Sequence, residues 1–218
     1  MDAEEILADL VGEASVVGRP NGTIVGRIAT RLEAIGARVA VLAGPEGDRA
    51  NLFATIGPGD RPGLILSGHM DVVPAEEPDW RSDPFRLTRD GDRLVGRGTS
   101  DMKGFLAAAM AAVAELDAAH LARPIHLAFS YDEEAGCKGV PHLIARLPEL
   151  CATPAAAVIG EPSGLVPILA HKGKASTRIT VTGRSGHSSR PDLGLNAIHG
   201  LSAVLAAAVA QSRRLEAG

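Results

Sequence analysis

Short apolar runs that stop at a histidine or a carboxylate set the tightest limit on how this chain can fold. Gly63-Leu64-Ile65-Leu66-Ser67 is one such run, ending just before His69. It is continuous rather than alternating and too short for a buried helix, which suits a strand covered on both faces. Ile125 to Tyr131 and Ala155 to Ile159 repeat the theme, ending before Glu133 and Glu161. Between them, helices are predicted over Lys103 to Ala119 and about Gly139 to Arg146. Strands alternating with helices predict an α/β sandwich with a mostly parallel sheet.

Upstream, apolar residues recur at helical spacing over 2–15 and 23–35, with Asn21 as N-cap of the second helix and Gly36 ending it. Strands are predicted over Arg38 to Ala43 and Asn51 to Ile56, separated by the turn-rich Gly44-Pro45-Glu46-Gly47-Asp48. Residues 70–91 form a Pro- and Asp-rich loop, and long loops in compact domains are usually functional. A short strand at Arg93 to Val95 follows. The character changes near residue 172: Lys174 to Gly183 alternates like a half-exposed antiparallel strand, and a helix is predicted from Asn196 to about Arg213. We therefore expect a first domain over 1–172 and the start of a second, α+β, over 173–218. One strand and one helix are too little for a stable domain alone.

Composition excludes several classes. Net charge is −4 with no basic block, and aromatics are 3%, so no nucleic-acid surface is expected. No apolar run reaches the ~18 residues of a membrane span. The acidic start Met1-Asp2-Ala3-Glu4-Glu5 does not resemble a secretory signal, which points to the cytoplasm. Cys137 and Cys151 are too few for a disulfide framework and are read as reduced thiols.

Four motifs carry the chemistry: Gly68-His69-Met70-Asp71, Gly98-Thr99-Ser100-Asp101-Met102-Lys103-Gly104, Asp132-Glu133-Glu134 and Gly160-Glu161-Pro162. Together they offer one imidazole and several carboxylates, a donor mix suited to Zn, Co or Mn. In α/β sheets, ligand sites gather at the carboxyl ends of strands. His69 and Asp71, two apart in an extended segment, point to one side, so Asp71 could fix the far ring nitrogen of a ligating His69. Asp101 could bridge two cations or cap the helix that follows it. Of Glu133 and Glu134, one could bind metal while the other moves a proton. His187 sits in Gly183-Arg184-Ser185-Gly186-His187-Ser188-Ser189, which is not a G-x-S-x-G nucleophile elbow, and taken alone it reads as an exposed loop histidine. His120, His126, His142, His171 and His199 fit no ligand spacing.

These motifs resemble the M20 family of metallopeptidases and amidohydrolases. Ser67 to Pro74 is similar to the family's first metal motif, Trp80 and Asp83-Pro84-Phe85 to the loop after it, and Arg97 to Gly104 to its bridging-aspartate motif. The resemblance implies a zinc-peptidase-like sandwich over 1–172 and the start of a lid, or dimerisation, domain over 173–218. It implies two divalent metal ions, with Zn foremost and Co or Mn as alternatives. By the same resemblance His69, Asp101, Glu134 and Glu161 are metal ligands, with Asp101 bridging; Asp71 orients His69, Glu133 is the general base and His187 stabilises an oxyanion. The segment from Gly183 to Ile198 is similar to the acetylornithine deacetylase branch. That implies a small N-acyl amino acid as substrate and a homodimer as the intact assembly. In the family the chain returns from the lid to supply one further histidine ligand. These 218 residues hold no match to that segment, so as a separate piece they are expected to be inactive.

Overall fold

Every predicted strand upstream of residue 160 is present in the computed structural model, which describes residues 2–78, 80–170 and 173–216. The order is α1 (Ala3–Gly12), α2 (Gly22–Ala34), β1 (Arg38–Ala43), β2 (Ala50–Ile56), β3 (Leu64–His69), β4 (Thr88–Asp90), β5 (Arg93–Val95), α3 (Gly104–Ala114), β6 (Ile125–Ser130), α4 (Val140–Leu150), β7 (Ala156–Ile159) and α5 (Ala197–Glu216). The chain divides into two compact units, Met1–Pro167 and Ile168–Gly218. His171 and Lys172, next to the expected boundary, lie outside the described residues.

In the first unit the sheet order is β1-β2-β6-β3-β7. β3 pairs in parallel with β6 and with β7, while β2 is antiparallel to both β1 and β6. Reversing twice returns β1 to the direction of β6, so β2 alone runs against the rest and the sheet is mostly parallel. Both faces of the inner strands β2 and β6 are covered, as continuous apolar runs require, but β7, expected to be buried in the same way, is exposed along its length because it is the edge strand with one neighbour. Leu52, Ala54 and Ile56 of β2 and Leu127 and Phe129 of β6 join one cluster with Ile6, Leu10, Ile28, Leu32, Leu106 and Met110 from α1, α2 and α3. The intervening Phe53 and Ala128 point the other way, to Leu42, Ile65 and Leu143 of α4. At about 1.5–3 kcal/mol per buried large apolar side chain, these two clusters are the main source of stability.

Several local expectations are corrected. The first helix stops at Gly12 rather than running to residue 15, because Ser15 turns its hydroxyl into the core to donate to the Met70 carbonyl, 2.6 Å away. Asn21 stands at the N-cap of α2 but makes no side-chain cap bond; its amide instead pairs both ways with the main chain of Ala50. The loop over 70–91 contains β4, which pairs with β5 as a hairpin. The helix expected from Lys103 to Ala119 ends at Ala114, and α4 runs on past Arg146 to Leu150 with Pro148 inside it.

In the second unit the strand expected over Lys174 to Gly183 does not form among the described residues. An isolated strand has no ladder partner to satisfy its backbone groups. One bridge remains, with Arg184 and Leu195 exchanging N–H···O bonds of 2.9 and 2.8 Å. α5 follows, and its apolar residues Ile198, Leu205 and Leu215 are exposed. No described helix is long and apolar enough to cross a membrane.

Candidate metal centre

His69 ends β3, and the parallel register places Ser130, the last residue of β6, beside it. Met70 N–H donates to the Ser130 carbonyl at 2.8 Å, so the loops leaving the two strands depart together. β7 lies on the other side of β3, and Gly160 N–H donates to the Ser67 carbonyl at 3.0 Å, which brings Glu161 to the same edge. Gly160 must lack a side chain, because a Cβ there would enter the Phe105 ring. Asp101 arrives from the turn before α3. It has non-helical backbone angles and does not cap that helix, which settles the alternative reading of Asp101 against a cap.

These loops converge on one imidazole. His69 is 1% exposed at its side chain, and its Nε2 lies 3.0 Å from Asp101 Oδ1, 3.9 Å from Glu133 Oε2 and 3.9 Å from Glu161 Oε1. Two overlapping donor sets result, His69 with Asp101 and Glu134, and His69 with Glu133 and Glu161, each with its atoms within 4.8 Å of one another. All five site residues predicted from motifs upstream of residue 162 to ligate metal or take a proton are thus gathered together.

Asp71 reaches His69 by a different route from the one expected. The imidazole Nδ1 donates to the Asp71 main-chain carbonyl at 2.9 Å, while the nearest carboxylate oxygen is 3.6 Å away. A carbonyl can only accept, so Nδ1 carries a proton and Nε2 presents its lone pair to the cluster when the ring is neutral. The Asp71 carboxylate is used elsewhere: Oδ1 accepts from Glu133 N–H and Oδ2 from Glu134 N–H, both at 3.1 Å. Asp71 therefore ties the His69 loop to the loop of the two glutamates.

The electrostatics follow from crowding. Burial pulls the His69 pKa down, but the hydrogen bond and charge of Asp71 and the bond to Asp101 outweigh it and raise it to about 9. Burial pushes Glu134 up, and the Asp101 carboxylate adds to that. Glu161 is likewise raised by burial, against the pull of His69, with Asp101, Glu133 and Glu134 reinforcing the rise. Negative charge is concentrated around one ring nitrogen. The donor set of one imidazole nitrogen and several carboxylate oxygens fits divalent cations such as Zn, Co or Mn, which would replace the Nε2 proton and balance the carboxylates.

Motif reading missed Asp132. It is 1% exposed, its Oδ1 accepts from Gly18 N–H at 2.7 Å, and its other oxygen pairs with Arg49. Its place at the head of Asp132-Glu133-Glu134 was the available signal; Arg49, in a turn far upstream, offered none. Cys137 is exposed and donates its thiol to Glu133 Oε1 at 3.3 Å. His187 belongs to the second unit, where its Nδ1 accepts from Ser189 N–H at 3.2 Å and lies 2.8 Å from the Ser189 hydroxyl. With Nδ1 accepting, the proton sits on Nε2, leaving an exposed imidazole donor.

Comparison with known proteins fits this geometry. Residues 65–213 match the peptidase family M20/M25/M40. The chain is 38% identical over 201 residues to an acetylornithine deacetylase of Photorhabdus laumondii, covering 89% of this chain and 51% of that protein. It is 42% identical over 180 residues to an acetylornithine deacetylase of Pasteurella multocida, covering 82% and 46%. The chain thus spans about half the length of the curated relatives it matches. An M20 family metallo-carboxypeptidase from Sulfolobus solfataricus shares the fold with a TM-score of 0.64 at 23% identity, over 73% of this chain and 37% of that one.

Proposed function

This chain belongs to peptidase family M20/M25/M40, and from that membership we propose that the protein containing it hydrolyses the amide bond of an N-acyl amino acid. The substrate we propose is N2-acetylornithine, giving ornithine and acetate in arginine biosynthesis. The names of the curated relatives support that choice. The observation that carries the reading is the convergence of His69, Asp101, Glu133, Glu134 and Glu161, from four separate loops, on one point at the end of the parallel strands.

His69, Asp101, Glu134 and Glu161 would hold two divalent cations, Zn foremost. Such cations lower the pKa of water toward 7 and polarise an acyl carbonyl. Asp71 holds the imidazole in the tautomer that leaves Nε2 free, and fixes the backbone of both glutamates. Glu133 takes the proton from the attacking water and delivers it to the leaving amine. Its carboxylate is a third exposed, so a substrate can reach it. His187, with its proton on Nε2, is suited to donate to the oxyanion, a contact worth roughly 3 kcal/mol in comparable sites. We place the protein in the cytoplasm as a homodimer. We also propose that the 218 residues as a separate piece show no turnover, since the relatives are about twice as long.

The test is a substrate panel run on the complete polypeptide with Zn, Co and Mn. Acetylornithine should have the highest kcat/KM. Preference for a succinylated diamino acid, another acyl amino acid or a peptide would keep the family and replace the substrate. No amide hydrolysis under any metal would reject the reading.

A further inference from the structure

We propose that Asp132 and Arg49 form a positioning device that aims Glu133 and Glu134 at the metal centre. The inference rests on the proposed roles of those two glutamates. Asp132 has a φ of 50°, in the left-handed region that few non-glycine residues occupy, aspartate more readily than most, and its surroundings hold it there. Three contacts do so. Gly18 N–H and the Arg49 guanidinium occupy its two carboxylate oxygens, and its carbonyl accepts from Lys138 N–H at 3.0 Å.

The neighbouring contacts form a clamp around the same loop. Asn51, fully buried, donates to the Gly139 carbonyl at 2.9 Å and accepts from Tyr131 N–H at 3.3 Å. The Tyr131 hydroxyl donates to Glu46 at 2.9 Å. The turn between β1 and β2, together with Asn51 at the start of β2, therefore grips the loop before and after its glutamates, and Asp71 holds it from the metal side. At Asp132 the reversal of the backbone sends Glu133 and Glu134 toward His69. Relaxing φ there would turn both side chains off the cluster together. Arg49 supplies the guanidinium that pairs with the buried Asp132 carboxylate.

The test uses the complete polypeptide with Asp132→Asn, Arg49→Met, the double variant and Arg49→Lys. Metal affinity is read by titration, and kcat and KM at saturating metal well below the melting temperature. A residue serving stability alone would lower the melting temperature without changing kcat under those conditions. Misplacement by about an ångström can cost ~100-fold, so each single variant should lose about tenfold or more in kcat with little change in KM. Each should also bind metal more weakly. The double variant should be no worse than the poorer single, and Arg49→Lys should recover part of the loss. Folded single variants that keep kcat and metal affinity within about twofold of wild type overturn the proposal, as do losses that simply add in the double. If Asp132→Asn does not fold, the Arg49 pair decides by the same criteria. Glu133→Gln separates this inference from the reading beneath it. Full turnover in Glu133→Gln would remove the base assignment, while metal affinity in the Asp132 and Arg49 variants would still test the aim of Glu134.

Discussion

Glu133 and Glu134 are adjacent in sequence and reach the same imidazole, yet they have different chemistry. Glu134 groups with His69 and Asp101, and its carboxyl is raised first by burial and then by Asp101. Glu133 is bonded by the Cys137 thiol and stands opposite Glu161. As the proton carrier, Glu133 should be expendable for metal loading, and in the complete protein Glu133→Ala should lower kcat by about 10²–10⁴-fold with metal content nearly unchanged. Glu134→Ala should instead lose metal. Metal analysis beside steady-state kinetics distinguishes the two, and near-wild-type turnover in Glu133→Ala would reject the assignment. His69, the two glutamates after β6 and Glu161 were legible because each follows an apolar run that reads as a strand, while Asp101 was legible from its glycine-flanked motif before a helix. Asp71 was legible in identity but not in contact: adjacency suggested a carboxylate on the ring, whereas its carbonyl makes the bond and its carboxylate serves the neighbouring loop. Asp132 and Arg49 lie 83 residues apart, and no local pattern reports a buried ion pair of that separation.

Among the elements, the strands β2, β3 and β6 and the short β5 were readable, and β5's hairpin partner β4 was not, since a three-residue strand within a Pro- and Asp-rich loop leaves no periodicity to detect. The alternation over Lys174 to Gly183 was real as a pattern, but a strand is defined by its partner, and none stands beside it among the described residues. β6 also carries a polar residue inside the sandwich. His126 is fully buried, stacks on Phe53 with ring centroids 5.2 Å apart and has its Nδ1 2.9 Å from the Thr55 hydroxyl, while its Nε2 has no hydrogen-bond partner among the described residues. Burial lowers its pKa below 6.5, and the charge of Arg38 adds to that. The unfolded chain, with the ordinary value, then binds more protons as pH falls below 6.5. Stability contributed by neutral His126 is therefore intact above pH 6.5 and lost as pH falls from 6.5 toward the folded-state pKa, by at most about 1.4 kcal/mol per pH unit. Denaturant unfolding at pH 7.5, 6.0 and 5.0 should show a shallower decline for His126→Gln than for wild type. Equal slopes would show that His126 does not titrate on unfolding.

For the molecule as a whole, the metal centre is also a structural fastening. His69 ends β3, between β6 and β7, Asp101 precedes α3, and Glu134 and Glu161 follow separate strands, so any cation held by them joins segments far apart in sequence. Burial, reinforced by neighbouring carboxylates, raises the pKa of Glu134 and Glu161 and so opposes their ionisation, and a dication removes the opposition. Binding to the folded chain alone adds about 2.7 kcal/mol when free metal is 100-fold above its Kd. A chain of this size gains about 2–4 °C per kcal/mol, so stripping metal with a chelator should lower the melting temperature of the sheet-bearing unit by roughly 5–11 °C. His69 belongs to both donor sets, which makes the expectation sharper. Its single Nε2 lone pair can bind only one cation at a time, so His69→Ala should remove that cation and leave about half of the response to Zn, Co and Mn, whereas cations held away from the cluster would leave all of it. Calorimetry of the chelated and metal-loaded forms of both proteins decides between these outcomes. A metal response that survives intact in His69→Ala would place the cations away from this cluster.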